Sequence, residues 1–257
     1  MDLGISGRNA LVCASTGGLG EATARALAAE GARVVVSGRR GDRAKAIAEE
    51  LPGAVGIEAD LTAEGGAERL LSQATEALGE IDVLVLNGPG PRPGTASEMT
   101  AEDSAEAVGN LLLVQQKLVR GVLPGMRERG WGRILSIASS GVAAPIPNLA
   151  LSNIGRSALA AYLKSLATEV ADEGVTANLL LPGRIATDRL TALDTATSER
   201  EGISFDEARA RGEAAIPAGR YGDPAEFGAT AAFLCSAHAA YITGTTLRCD
   251  GGLVPTL

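Results

Sequence analysis

Histidine occurs once in the 257 residues, cysteine three times, and aromatic residues make up only 3% of the chain. The lone His238 has no second ligand paired with it, and Cys13, Cys235 and Cys249 show no C-x-x-C spacing, so neither a zinc site nor a disulfide framework is indicated. No metal is expected, and Cys13 reads as a small core residue. No stretch reaches the roughly 20 apolar residues that a membrane-spanning helix needs. The opening MDLGISGRNALVCAS carries only a short apolar run with no charged leader. These features predict a cytoplasmic protein without a membrane partner. Positive charge is scarce as well: 23 Lys and Arg stand against 31 Asp and Glu, a net charge of -8. The basic residues are scattered, so a phosphate backbone would be repelled and nucleic acid is not an expected partner. No Pro/Ser-rich or charge-rich linker and no internal repeat divides the chain, which predicts one domain over 1–257.

What is abundant is Ala, Gly, Leu and Val, a composition suited to a buried parallel sheet covered by Ala-rich helices. NALVCAS, ARVVVSG, AVGIEAD, IDVLVLN, GRILSIAS, VTANLLLP and GTTLRCD read as seven strands. Helices are predicted over Glu21–Glu30, Arg43–Leu51, Glu64–Leu78, Ala105–Arg129, Ser152–Ala171 and Pro224–Ser236, several closed by Gly31, Gly53, Gly79 or Gly174. Strand and helix alternate, so the fold class is α/β: a single Rossmann-type domain with a doubly wound, mostly parallel seven-stranded sheet and helices on both faces. The polar stretch from about 188 to 216 lacks a strand and follows a late one, which places it beside the crevice at the strand carboxyl ends as a substrate-side lid; a solvated helical pair is the plainer alternative.

The first strand runs into CASTGGLGEATARALAAEGA, a turn of small residues followed at once by a helix. Small residues let the backbone approach a pyrophosphate, and a helix N-terminus offers unpaired N–H groups with a positive dipole end. After the second strand, in SGRRGDR, an acidic side chain would select the 2'-hydroxyl of NAD. Gly38 stands there instead, with Arg39 and Arg40 following, and arginine pairs with the 2'-phosphate of NADP. NADP(H) is therefore the expected cofactor.

With that turn and its setting the chain resembles the short-chain dehydrogenase/reductase family, nearest to its 3-oxoacyl-[acyl-carrier-protein] reductase-like branch, from about Gly7 to Leu253. The family's T-G-x-x-x-G-x-G falls on Cys13, Ala14, Ser15, Thr16, Gly17, Gly18, Leu19 and Gly20, so its threonine and first glycine are replaced. The resemblance implies cofactor contacts from Ala14, Ser15, Thr16, Gly18, Leu19 and Gly20, and from Asp60 and Leu61 in EADLT. It adds Asn87 and Gly88 in LNGPGPRPG, and Pro182, Gly183, Ile185 and Thr187 in LPGRIATDR. A homo-oligomer, a tetramer as is common in the family, is implied too.

Family members deliver the proton from a Tyr-x-x-x-Lys helix assisted by a Ser and an Asn. Aligning KSLATEVADEGVTAN without gaps puts the tyrosine position at Ser152, the lysine position at Arg156 and the serine position at Ser139. Four residues apart on a helix, Ser152 and Arg156 share a face, but arginine stays protonated and serine is a far weaker acid than a phenol. The asparagine position falls on Leu111, with Asn110 one residue away and in need of a local bulge to serve. Ser139, Ser152 and Arg156 are the catalytic candidates, with Arg156 also expected on the cofactor ribose. Arg92, in the Pro/Gly-rich loop, is open to a substrate anion or to solvent alone. The sequence thus suggests an atypical NADP(H)-dependent reductase of a small-molecule carbonyl substrate. Two alternatives stay open: a catalytically silent nucleotide-binding sensor or assembly partner, and a non-redox dehydratase or cyclase.

Overall fold

In the computed structural model, which describes residues 2–256, the seven strands are β1 (Asn9–Val12), β2 (Arg33–Gly38), β3 (Val55–Glu58), β4 (Val83–Leu86), β5 (Gly132–Ile137), β6 (Val175–Pro182) and β7 (Thr246–Cys249). They form one sheet in the order β3-β2-β1-β4-β5-β6-β7, and every neighbouring pair is parallel. The mostly parallel sheet of the sequence reading is thus wholly parallel. The chain builds outward from β1 to β3 and then restarts on the other side at β4. That reversal opens a crevice at the carboxyl ends of β1 and β4, where doubly wound sheets bind ligands.

Side chains alternate across the sheet and so feed two cores. On β1, Leu11 faces a core shared with Leu70, Leu118 and Leu163, whereas Ala10 and Val12 face one shared with Leu27, Ile47 and Phe227. The first core is covered by α3 (Gly66–Leu78), α5 (Val114–Glu128) and α6 (Ala150–Val170), the second by α1 (Gly18–Ala29), α2 (Gly41–Glu49) and α9 (Pro224–Leu234). Burial on both faces explains why the strands read as nearly continuous apolar runs. The expected cap glycines Gly31, Gly53, Gly79 and Gly174 all adopt positive φ.

Two features bear on function. The helix expected over Ala105–Arg129 begins earlier and is interrupted: α4 (Ala101–Val108), started by a Thr100/Asp103 capping box, passes through a π-helical turn at Gly109–Leu113 into α5. The stretch after β6 folds as two helices, α7 (Asp188–Glu201) and α8 (Phe205–Ala214). They are latched to the body by the Tyr221 hydroxyl, which bonds the buried Asp194 carboxylate at 3.0 Å, and by apolar packing of Leu190, Ile216 and Tyr221.

Candidate active site

The turn after β1 is fixed by its own hydrogen bonds. The Ser15 hydroxyl donates to the Val12 carbonyl at 2.7 Å and accepts from the Ser37 N–H at 2.9 Å, while the Ser15 N–H bonds the Ser37 carbonyl. Ser15 is fully buried and staples the turn to β2. Ala14 takes a left-handed conformation, φ 47°, which L-residues adopt at a cost, and its carbonyl accepts from the Asn87 side chain at 3.1 Å. Gly17 is extended, so the freedom that glycine brings to this turn is used one residue later, at Gly18 with φ 55°. Gly20 permits close approach: a Cβ there would sit 2.5 Å from the Ala14 carbonyl oxygen. The first ladder bond of α1 runs from the Glu21 N–H to the Gly17 carbonyl, so the amides of Gly18, Leu19 and Gly20 stand ahead of it at the dipole's positive end.

Beside this turn lies a cavity of about 350 Å³ lined by Ala14, Thr16, Arg39, Arg40, Asp60, Leu61, Asn87 and Gly88 among others. It gathers expected cofactor residues from the ends of four strands. The two arginines differ in role. Arg40 Nη2 donates to the Thr16 carbonyl at 2.6 Å and braces the turn, whereas Arg39 is exposed near Asp60. The Asp60 carboxyl is held below its usual range, first by hydrogen bonds from Thr62 and to a smaller degree by the Arg39 charge. A backbone cradle that a Cβ would fill, open helix amides and two guanidinium groups at the cavity rim fit a phosphorylated dinucleotide.

The segment after β6, where the family resemblance puts the nicotinamide, is held by its own contacts. The Gly183 N–H donates to the Cys249 carbonyl at the end of β7, at 2.9 Å, and Ile185 is buried against Gly222 through a short parallel bridge. Thr187 starts α7 and lies over the phosphate turn, its Cγ2 3.7 Å from the position of a Gly18 Cβ. Pro182 ends β6 at this junction. A groove of about 1080 Å³ between α1 and α9 opens onto the same place at Thr16, Gly18 and Thr187.

Ser139 is the second residue past the end of β5. Its oxygen accepts the Gly141 N–H at 3.1 Å, which leaves its hydrogen free to donate. Ser152 and Arg156 lie one turn apart on α6, both half-buried. The start of that helix is held in place by Asn153, whose side chain bonds both the N–H and the carbonyl of Ile146. Arg156 Nη1 donates to the Ile137 carbonyl at the end of β5, at 3.0 Å. Burial, and then the charge of Arg189, pushes the Arg156 guanidinium down to about 10, so it remains a cation at neutral pH. The π-turn supplies the bulge that Asn110 needs. Asn110 lines a cavity of about 560 Å³ with Gly90 and Arg92, while Leu111 is buried against Gly155 of α6.

Three further polar side chains have settings of their own. Arg92 is paired with Asp103 at 2.7 Å, and the exposed His238 meets the Asp2 carbonyl. Tyr162 packs half-buried against the core beneath α6. Arg189, in the first turn of α7, carries no mark in the sequence, because nothing local distinguishes it from the other lid arginines.

The sequence profile of the enoyl-(acyl carrier protein) reductase family matches residues 13–254, and the chain belongs to that family of short-chain dehydrogenases/reductases. It is 34% identical over 254 residues to the 3-oxoacyl-[acyl-carrier-protein] reductase FabG of Vibrio cholerae, covering 98% of this chain and 99% of the relative. Among solved structures, the L-sorbose reductase of Gluconobacter frateurii complexed with NADPH and L-sorbose superimposes with a TM-score of 0.93 at 30% identity and full coverage of both chains. A variant of the actinorhodin polyketide ketoreductase with NADPH gives 0.89 at 32% identity, over 96% of this chain and 97% of the other.

Proposed function

We propose that the protein is an NADP(H)-dependent reductase of a small-molecule carbonyl compound that works without a tyrosine–lysine acid. The observation that carries this reading is the cavity at the β1–α1 turn. Its rim holds Arg39 and Arg40 where an NAD-selective site would hold an acid, and it lies at the reversal of strand order. The likeness to reductases solved with NADPH supports the same cofactor.

When bound, NADPH supplies a hydride equivalent to the carbonyl carbon. The protein's part is to hold the oxygen that becomes negative. Ser139 has a free O–H to donate, Ser152 offers a second, and Arg156 contributes a fixed positive charge with donors left over after its one bond to Ile137. Arg156 does not give up its proton at neutral pH, so water entering the crevice, or the substrate itself, completes the alcohol. Losing a positioned general acid lowers the rate by roughly two to four orders of magnitude without removing charge stabilisation of the oxygen. Residues 188–216 act in this reading as the substrate-side lid, latched by Tyr221. The described residues contain no helix long and apolar enough to cross a membrane. The family resemblance supports a cytoplasmic homotetramer.

Calorimetric titration with NADPH and NADH is the first test, followed by a carbonyl screen read by NADPH oxidation. Selective NADPH binding with turnover of any ketone is the expected result, and Ser139→Ala slows that turnover. No binding of either nucleotide ends the reading. NADPH binding without turnover across the screen favours the second reading, a nucleotide-dependent sensor, whose supporting observation is that Arg156, pushed down only to about 10, keeps its proton at neutral pH.

A further inference from the structure

Ser139 and Ser152 stand on different elements, and one side chain ties those elements together. Ser139 opens the loop that leads from β5 to α6, while Ser152 lies in the first turn of α6. The middle of that loop is Pro145-Ile146-Pro147, in which Ile146 carries the only amide hydrogen, and each proline holds the residue before it extended. Asn153, next to Ser152, takes both polar groups of Ile146. Its Oδ1 accepts the Ile146 N–H at 3.2 Å and its Nδ2 donates to the Ile146 carbonyl at 3.0 Å. The side-chain amide thus pairs with this residue as a neighbouring strand would.

The same amide oxygen reaches back toward Ser139. A Cβ on the buried Gly141 would lie 2.5 Å from Asn153 Oδ1 and 3.3 Å from Ser139 Oγ, so both side chains border one glycine and leave no room there for a methyl group. The Gly141 N–H is also the group that Ser139 Oγ accepts, at 3.1 Å, and the Val142 N–H bonds the Ser139 carbonyl at 3.0 Å. The far corner of the loop is fixed separately: Asn148, left-handed at φ 60°, gives its carbonyl to the Gly94 N–H at 2.9 Å. Ser139 therefore lies between two stitches that both start on α6, Arg156 to Ile137 before it and Asn153 to Ile146 after it. A serine hydroxyl rotates to suit its surroundings, whereas charge stabilisation needs donors aimed before the charge develops. The bond from Gly141 occupies the oxygen and leaves the hydrogen to point elsewhere, and Asn153 packs against the residue that makes it.

We propose that Asn153 is a positioning residue: it holds Gly141 and Ile146 against α6 and so aims the Ser139 hydroxyl at the substrate oxygen that Ser152 also serves. The consequence for a rate rests on the reductase reading, but the tie itself is read without turnover. In this role Asn153 touches neither substrate nor cofactor and acts through Ser139 alone. Its loss leaves nucleotide binding in place and removes stabilisation that is realised only as the oxygen becomes negative, which lowers kcat with little change in KM.

The first arm of the test is amide hydrogen exchange of the full chain, read by mass spectrometry over residues 139–149 with and without NADP+. Exchange in that segment, Gly141 included, is expected to rise about tenfold or more in Asn153→Ala while the strands stay protected. Ser139→Ala supplies the reference for a freed Gly141 amide. Asn153→Asp, which keeps an acceptor for the Ile146 N–H but loses the donor to its carbonyl, falls between, and Gly141→Ala, whose methyl meets Asn153 Oδ1, behaves as Asn153→Ala does. Exchange unchanged in Asn153→Ala overturns the proposal, whatever the rates do. The second arm is NADPH oxidation with ethyl acetoacetate and with 2,3-butanedione, with a melting curve and the NADP+ affinity recorded for each variant. Removing one donor to a developing oxyanion lowers kcat about a hundredfold to a thousandfold, so Ser139→Ala marks the floor; Asn153→Ala is expected about tenfold below the wild type in kcat with KM and NADP+ affinity nearly unchanged. In the double variant the loss of Asn153 adds no more than about twofold, because the hydroxyl it aims is already gone. Two effects that multiply overturn the proposal, since a merely structural role weakens both backgrounds alike, and exchange that rises while kcat holds overturns it too. A wild type that oxidises NADPH with neither probe counts against the reductase reading and leaves the exchange arm to decide the tie.

Discussion

Ala14→Gly is expected to stabilise the protein, against the general rule that substitutions in a packed turn destabilise it. Ala14 holds φ 47°, in the left-handed region. That conformation costs an L-residue roughly 1–2 kcal/mol and costs glycine nothing. Against this gain stands the larger conformational freedom of glycine in the unfolded chain, roughly 0.4–1 kcal/mol. A further few tenths are lost with a methyl group that is only half-buried, well below the ~0.8 kcal/mol of a fully buried carbon. The balance is a gain of about 0.5 kcal/mol, which for a domain of this size corresponds to a Tm rise of about 1–2 °C. Ala14→Val, with a branched side chain in the same conformation, moves Tm down by several degrees and supplies the opposite sign. Differential scanning calorimetry of the three proteins at one pH and concentration is the assay. Because the residue-14 methyl also lines the nucleotide cavity, Ala14→Gly is expected to tighten NADPH binding as well. A Tm that falls in Ala14→Gly would refute the claim that the turn is strained at this residue.

Arg39→Ala is expected to weaken NADPH far more than NADH, whereas Arg40→Ala weakens both, because Arg40 holds the Thr16 carbonyl of the shared phosphate turn; parallel calorimetry with the two nucleotides separates the roles. The reductase rate is expected to be flat from about pH 6 to 9 and to fall as pH approaches 10, since the working form of Arg156 is the cation and its affinity for the proton is pushed down to about 10; a steady-state pH profile with an inflection near 7 would contradict this. Burial raises the thiols of Cys13 and Cys235 to about 12, so a thiol-specific chromogenic reagent should find only Cys249 reactive in the native protein and all three in denaturant. Those two thiols favour the fold in their neutral form, so their contribution is fully present below about pH 9 and is lost as pH rises from 9 to 12, visible as a falling Tm. Tyr221→Phe leaves the buried Asp194 carboxylate short of a donor, with an expected loss of about 1–3 kcal/mol and faster proteolysis within 188–216.

The sheet is legible in the sequence because its central strands are buried on both sides and therefore read as apolar runs. The phosphate turn is legible because small residues stand between a strand and a helix. Ser15 escapes such a reading for a physical reason: its role depends on Ser37, a partner from the next strand, and hydrogen bonds between distant segments leave no local pattern. The break at Gly109–Leu113 is hidden because one extra residue in a helical turn shifts the phase of the apolar pattern without erasing it; its only trace is the one-residue offset of Asn110 from the expected position.

In the proposed reading the two halves of the crevice are built of different material, and that difference is how the fold persists while its chemistry changes. The nucleotide half relies on backbone: helix amides, a close approach at Gly20 and a turn tied by Ser15, none of which is lost when Cys13 and Ala14 replace the family's threonine and glycine. The consequence is a strained φ at one residue. The proton half relies on side chains projecting from α6, and α6 is anchored by other residues altogether, Leu151, Leu159, Leu163 and Leu166 on its buried face. Ser152 and Arg156 could therefore change without disturbing the helix that carries them. A lysine beside a phenol passes protons, whereas an arginine of the same reach holds a negative charge and keeps its own proton.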